Sequence, residues 1–332
     1  MAKPKVAIVG LGLIGGSIGL GLKASSKDMY VVGHDIDHGI GRLAKKMGAV
    51  DDSALNLINA CDDADLVIIA TPLASLRETL GYIGPHLKPG CVVTDTTTIK
   101  APVLRWAAET LPAGVAFVGA DPLLKPDATP DRLAVRAGLE SARADLLHGA
   151  LYVLCPSAET PPAAVKRVTD MANLLKAHAF FVDPVEHDGM RAMVDGLSVM
   201  TSLALMRLVS GSSSWLEARK LADFGFGTAT APLAGNVESN RAQVLDNADH
   251  LLPRLDAYIQ ELAALRKWIA EHDAEALAAA FDQAAADRAA WLKDWMEGNW
   301  VKEEDHSEIK GTMGSLGDML GFGLGKRKSK EE

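Results

Sequence analysis

Hydrophobic positions in the first half of the chain fall in short β-branched runs separated by helical patterns; in the second half almost all fall at helical spacing. Val6-Ala7-Ile8-Val9 predicts a buried strand. Ile14, Ile18 and Leu22 follow at four-residue spacing and predict a helix. Further strands are predicted over residues 29–33, 65–70, 91–95, 116–119, 151–154 and 179–182. After Pro184 the strand signals stop. Residues 186–209 place Met193, Leu197, Met200 and Ala204 on one helical face, and Ala- and Leu-rich helices follow over 251–271 and 274–296. The alternation predicts an α/β domain over 1–183 and an all-helical domain over 184–300.

Residues 301–332 break the pattern. Glu303-Glu304-Asp305 precedes a stretch with six glycines between Gly311 and Gly325, then Lys326-Arg327-Lys328. So many glycines disfavour a helix, which predicts a disordered tail. Its apolar residues Met313, Leu316, Met319, Leu320 and Phe322 offer a second reading, a peptide that docks a protein partner.

The loop between the first strand and helix carries the clearest chemistry. Gly10-Leu11-Gly12-Leu13-Ile14-Gly15 is G-x-G-x-x-G, and Asp35 ends the next strand 25 positions after Gly10. Strand, turn, helix and acid in this order form a dinucleotide-binding fingerprint of the Rossmann type. Gly10 permits the turn, Gly12 lets a pyrophosphate approach, and Gly15 lets the helix pack on the strand. Leu13 and Ile14 bring the helix N-terminus, with its unpaired N–H groups, to the phosphates. Asp35 suits the ribose hydroxyls and repels a 2′-phosphate, so NAD is favoured over NADP; Arg42 and Lys45 downstream are the argument for NADP. Ligands in such sheets sit beyond the carboxyl ends of the strands. Thr71 and Pro72 are therefore expected at the cofactor, and residues 94–100 and 119–125 at the same crevice.

Composition narrows the partners. Hydrophobic residues make up 48% and the net charge is −9, which disfavours non-specific binding to nucleic acid. Lys3, Lys5 and the uncharged run to Leu22 imitate a signal peptide, but the run is dense in glycine and short of the ~20 residues of a membrane span. No membrane is expected, and the location expected is cytoplasmic. Cys61, Cys91 and Cys155 are widely spaced and form no Cys/His cluster, so neither disulfides nor a metal site are expected. The Met and Trp faces of the second half read as core or as subunit interface.

Together these segments resemble the prephenate/arogenate dehydrogenase family of tyrosine biosynthesis. The likeness rests on residues 10–17, on Val32-Gly33-His34-Asp35, on the strand ending at Pro72, on Val93-Thr94-Asp95 with Lys100, on Phe117-Val118-Gly119, and on Glu186-His187-Asp188. It implies a Rossmann domain followed by a helical dimerisation domain, a homodimer, and NAD(P)-dependent oxidative decarboxylation of a cyclohexadienol. The family places a His just after its Val-Gly-Gly strand end; here that position is Asp121. The family's loop Ser is Thr98, its second His falls on Gly196, and its carboxylate-gripping Arg falls on Ala231.

The resemblance thus implies Asp121 as base beside Thr98, with burial raising its pKa. Lys100, Lys125 or Arg191 would hold the anionic substrate in place of the missing Arg. Two other readings stay open: the same fold oxidising another small acid or imine, and a non-catalytic NAD-binding sensor or partner protein. Asp121 before Pro122 also suits a turn or helix cap, as do Thr96 to Thr98 and His187-Asp188. Asp195 reads either as a site carboxylate or as a solvent-facing charge.

Overall fold

The computed structural model describes residues 3–125 and 138–298. The expected tail at 301–332 lies outside the described residues. Eight strands form one sheet in the order β3-β2-β1-β4-β5-β6-β7-β8. They are β1 (Lys5–Val9), β2 (Tyr30–His34), β3 (Asp52–Ser53), β4 (Leu66–Ile69), β5 (Val92–Asp95), β6 (Ala116–Leu123), β7 (Leu151–Cys155) and β8 (His178–Phe181). Pairing is parallel except between β6 and β7, where Gly119 opposes Cys155 and Leu123 opposes Leu151. Strands covered on both faces must be apolar throughout, and Val6 to Val9 and Leu66 to Ile69 are all buried.

The interleaved helices are α1 (Leu13–Ser25), α2 (His38–Met47), α3 (Leu57–Cys61), α4 (Leu73–Ile83), α5 (Ala101–Thr110) and α6 (Pro162–Leu174). Ile18 and Leu22 of α1 join Met171 and Leu175 in the core on one face of the sheet. Leu76, Leu80 and Val103 fill the other face. Chain order reverses between β1 and β4, the switch point at which such sheets open a crevice.

The helical part runs through α7 (Pro184–Arg191), a π-helical turn (Ala192–Gly196), α8 (Leu197–Ser210), α9 (Trp215–Ala218), α10 (Phe224–Thr230), α11 (Val237–Asp246), α12 (Ala248–Glu271) and α13 (Ala274–Glu297). Of the face expected as core or interface, Leu197 and Met200 are half-buried, whereas Ala204 and Met193, the latter 48% exposed, face outward. Residues 184–210 are long and apolar enough to cross a membrane by length and composition, with only 22% of the most apolar window buried. The chain divides into two compact units, Met1–Ala284 and Ala285–Glu332, so residue 183 lies inside the first. Within the second unit, Trp291 and Trp295 stack with ring centroids 5.0 Å apart.

Candidate active site

At the carboxyl end of β1 the chain must turn within a few residues into α1, and glycine makes this possible. Gly10 sits at φ +89°, and a Cβ there would lie 2.7 Å from the Ala70 carbonyl oxygen. A Cβ on Gly15 would fall 1.9 Å from the Gly10 carbonyl oxygen, so helix and turn touch backbone to backbone. Gly12 differs: nothing lies within 4 Å of its would-be Cβ, and no side chain caps α1. The first turn of α1, Leu13 and Ile14, therefore presents open N–H groups to that space. Thr71, at the carboxyl end of β4, has a buried hydroxyl with no hydrogen-bond partner among the described residues, and Pro72 leads directly into α4. An uncapped helix end, an open cradle and an orphaned hydroxyl fit a bound dinucleotide. Asp35 also ties the turn together: Leu11 N donates to its Oδ2 at 2.8 Å and Asp37 N to its Oδ1 at 2.9 Å.

On β6, beyond the end of its ladder with β5, the polar residues meet at Asp121. It lies within β6, opposite Val153, and is 3% exposed, so it caps neither a turn nor a helix. His187 Nε2 lies 3.2 Å from Asp121 Oδ2, and Nδ1 of the same ring 3.1 Å from Asp188 Oδ1. Arg191 Nε stands 3.3 Å from Asp121 Oδ2 without the alignment of a hydrogen bond. Its terminal nitrogen reaches Asp195 Oδ2 at 3.5 Å. Gln243 Nε2 donates to that same Asp195 oxygen, and Thr98 Oγ1 donates to Gln243 Oε1 at 3.1 Å. One polar chain thus runs from Thr98 through Asp195 and Arg191 to Asp121, His187 and Asp188.

Titration at Asp121 runs against the sequence expectation. Burial by itself would push its pKa up. The hydrogen bond from His187 and the charges of Arg191 and Lys100 outweigh burial and hold the carboxyl below its ordinary value. Burial would likewise lower the pKa of His187, but its bonds to Asp121 and Asp188 raise it instead. Each shift favours the charged form of its own group, and a protonated His187 ring donates from both nitrogens, to Asp121 and to Asp188.

Lys100 is not at an open surface. It is fully buried, and its ammonium donates to Asp95 Oδ2, to Thr97 Oγ1 at 3.2 Å and to the Ala120 carbonyl at 2.7 Å. An ammonium has three protons, so none remains for a substrate carboxylate. Lys125 stands beside Gly149, its Nζ 3.1 Å from where a Cβ would sit there. No contact among the described residues joins it to the Asp121 cluster.

The threonines do not cap α5 either. Thr97 bonds Asp95, and Asp188 supplies the cap from α7, accepting Lys100 N at 2.6 Å and Ala101 N at 2.8 Å. The helix that carries Asp188 is itself capped by Asp183. Sequence reasoning missed Gln243 and the roles of His187 and Asp188. The His-Asp pair was visible in the chain, but its partners lie 66 and 88 positions away.

A largely parallel sheet with a glycine turn at its switch point defines the fold of a dinucleotide-binding protein. Residues 18–181 match the family model described as the nucleotide-binding domain of prephenate dehydrogenase, and residues 183–283 match its dimerization domain. The chain belongs to the prephenate dehydrogenase family. It is 29% identical to a prephenate dehydrogenase of Bacillus subtilis, over 83% of this chain and 72% of that protein. With a cyclohexadienyl dehydrogenase of Zymomonas mobilis the identity is 26%, over 87% and 96%. Among solved structures, the arogenate dehydrogenase of Synechocystis aligns at TM-score 0.68 with 26% identity, covering 86% of this chain and 99% of that one. The A. aeolicus prephenate dehydrogenase bound to hydroxyphenyl propionate and NAD+ shares the fold at TM-score 0.76 and 21% identity, over 87% and 99%.

Proposed function

We propose that the chain is a cytoplasmic, NAD-dependent dehydrogenase that oxidises and decarboxylates a cyclohexadienol acid of the prephenate or arogenate kind. The observation that carries this reading is the Asp121 carboxylate, buried near the carboxyl end of β6 and held by His187 and Arg191, toward the same end of the parallel strands as the glycine turn. Gly10, Gly12, Gly15 and the first turn of α1 would hold the pyrophosphate, with Asp35 at the ribose and Thr71 beside the nicotinamide end. When bound, NAD supplies the hydride acceptor.

In this scheme Asp121 takes the proton of the substrate hydroxyl as hydride leaves the same carbon. Loss of carbon dioxide then aromatises the ring, and this large driving force lets a weak base serve. His187 stabilises the carboxylate between turnovers. Arg191, whose Nε makes no hydrogen bond, is the cation placed to meet a substrate carboxylate. Thr98 lies at the other end of the polar chain and orients the substrate hydroxyl. The exposed apolar faces of the helical part, among them Met193, Leu203 and Leu208, suit a homodimer better than solvent.

The test is NAD reduction with prephenate and with arogenate, wild type beside Asp121→Asn. NADH formed by the wild type and lost in the variant is expected. Saturable NAD binding with no turnover of either acid would overturn the proposal.

A further inference from the structure

The buried Asp95–Lys100 pair takes no part in the proposed chemistry, and its place in the sheet suggests a purpose. β5 stops at Asp95, whereas β6 runs on to Leu123. The ladder between them ends at Thr94 opposite Val118. Successive residues of a strand turn their backbone groups to alternate sides. The next β6 residue facing β5 is therefore Ala120, and there β5 offers no further ladder bond. Side chains take its place: Ala120 N donates to Asp95 Oδ1 at 2.9 Å, and the Ala120 carbonyl accepts from Lys100 Nζ at 2.7 Å. The rest of the pair is equally committed. Asp95 Oδ2 accepts from Lys100 Nζ, from Thr97 Oγ1 and, at 3.0 Å, from Thr97 N.

A buried ion pair is a poor device for stability alone, because desolvation offsets most of the attraction. It is a good device for fixing a peptide, since each donor and acceptor here has one direction to point. The residue after that peptide is Asp121. We propose that Asp95 and Lys100 are positioning residues, whose side chains stand in for the missing end of β5 and hold the Ala120 peptide so that the Asp121 carboxylate faces the substrate.

The charged and titratable groups around Asp121 are His187, Asp188 and Arg191 from α7, Asp95 at the end of β5, Lys100 just before α5, and Tyr152 and Cys155 from β7. Lys100 helps hold the Asp121 carboxyl below its ordinary value. Removing its charge should therefore move the acid limb of kcat to higher pH, which a purely structural Lys100 would not do.

This inference rests on Asp121 as the proton acceptor, and its test separates the two claims. Lys100→Met is compared with Asp95→Asn/Lys100→Met, which leaves no unpaired buried charge. With prephenate or arogenate as substrate, kcat is expected to fall on the order of a hundredfold, the size of effect that misplacing a reacting group by about 1 Å produces. The KM for NAD should stay within about twofold, and the acid limb of kcat should rise. Hydrogen exchange in full-length protein should quicken in β6 while β1 and β4 keep their protection.

An unchanged kcat and acid limb would overturn the proposal, as would protection lost uniformly across the sheet in the double variant. If the wild type turns over neither acid, the proposed function falls, and the exchange pattern in β6 still decides the positioning claim.

Discussion

Asp121 Oδ2 and His187 Nε2 stand 3.2 Å apart in the protein interior, joining β6 to the middle of α7. Each group shifts the other in the direction that favours charge: the carboxyl below its ordinary pKa and the imidazole above it. The pair is therefore strongest as an ion pair, and it bridges the sheet to the helical part of the first compact unit.

Stability should follow this pair with pH. The Asp121 contribution is present above its unfolded pKa of about 3.9 and is lost as pH falls through the lower folded value. The His187 contribution is fully present below about pH 6.5 and is lost as pH rises through the higher folded value. Urea unfolding between about pH 5 and pH 9 should show the alkaline decline in the wild type and a flatter curve in His187→Asn. Equal slopes in the two proteins would remove His187 from the account.

The glycine turn offers a paired contrast. Gly12→Ala places its methyl in open space, so folding should change by no more than about 1 kcal/mol. In the proposed cradle the same methyl would occupy the approach of the pyrophosphate, and NAD affinity should weaken about tenfold or more. Gly15→Ala drives a Cβ into the Gly10 carbonyl oxygen, 1.9 Å away, and should cost about 1–3 kcal/mol or more of stability. Thermal unfolding and NAD titration of the two variants check both halves. Weakened binding in Gly15→Ala alone would mean that the cradle is elsewhere.

Much of this fold was legible because buried parallel strands have one requirement, continuous apolar residues. Val6 to Val9 and Leu66 to Ile69 meet it plainly. β3 escaped because its two residues, Asp52 and Ser53, are too short for any periodicity. The strand pattern at 116–119 stops short of the real end of β6, because Asp121 and Pro122 look like a strand's end. Strand β6 continues through them because β7 pairs with it on one side and Asp95 and Lys100 serve the other. Lys100 illustrates the general limit: a lysine near a crevice reads as an exposed cation unless its distant acceptors are known. Gln243 carried no signal at all, because it links Thr98, 145 positions away, to Asp195, 48 away.

The three cysteines should be inert in the native protein. All are buried, and burial pushes the thiols up to about 12 for Cys61, 11 for Cys91 and 12 for Cys155. Reaction depends on the thiolate, which is scarce at neutral pH for such groups. A colorimetric thiol reagent should titrate none of them rapidly in native protein and all of them after denaturation. Rapid native labelling of any one would show that its site opens locally.

Asp188 connects two jobs, and its removal should affect both. Its carboxylate caps α5 through Lys100 N and Ala101 N and holds Nδ1 of His187, while Asn247 Nδ2 donates to its carbonyl. Asp188→Ala leaves two N–H groups and a buried imidazolium without their acceptor, at an expected cost of about 3–5 kcal/mol. Asp188→Asn keeps one oxygen and should cost less. His187 then loses one of the bonds that raise its pKa, so in Asp188→Asn its ring titration, followed by NMR, should move to lower pH. If the titration of His187 does not move, its protonation depends on Asp121 alone, and Asp188 serves only as the cap of α5.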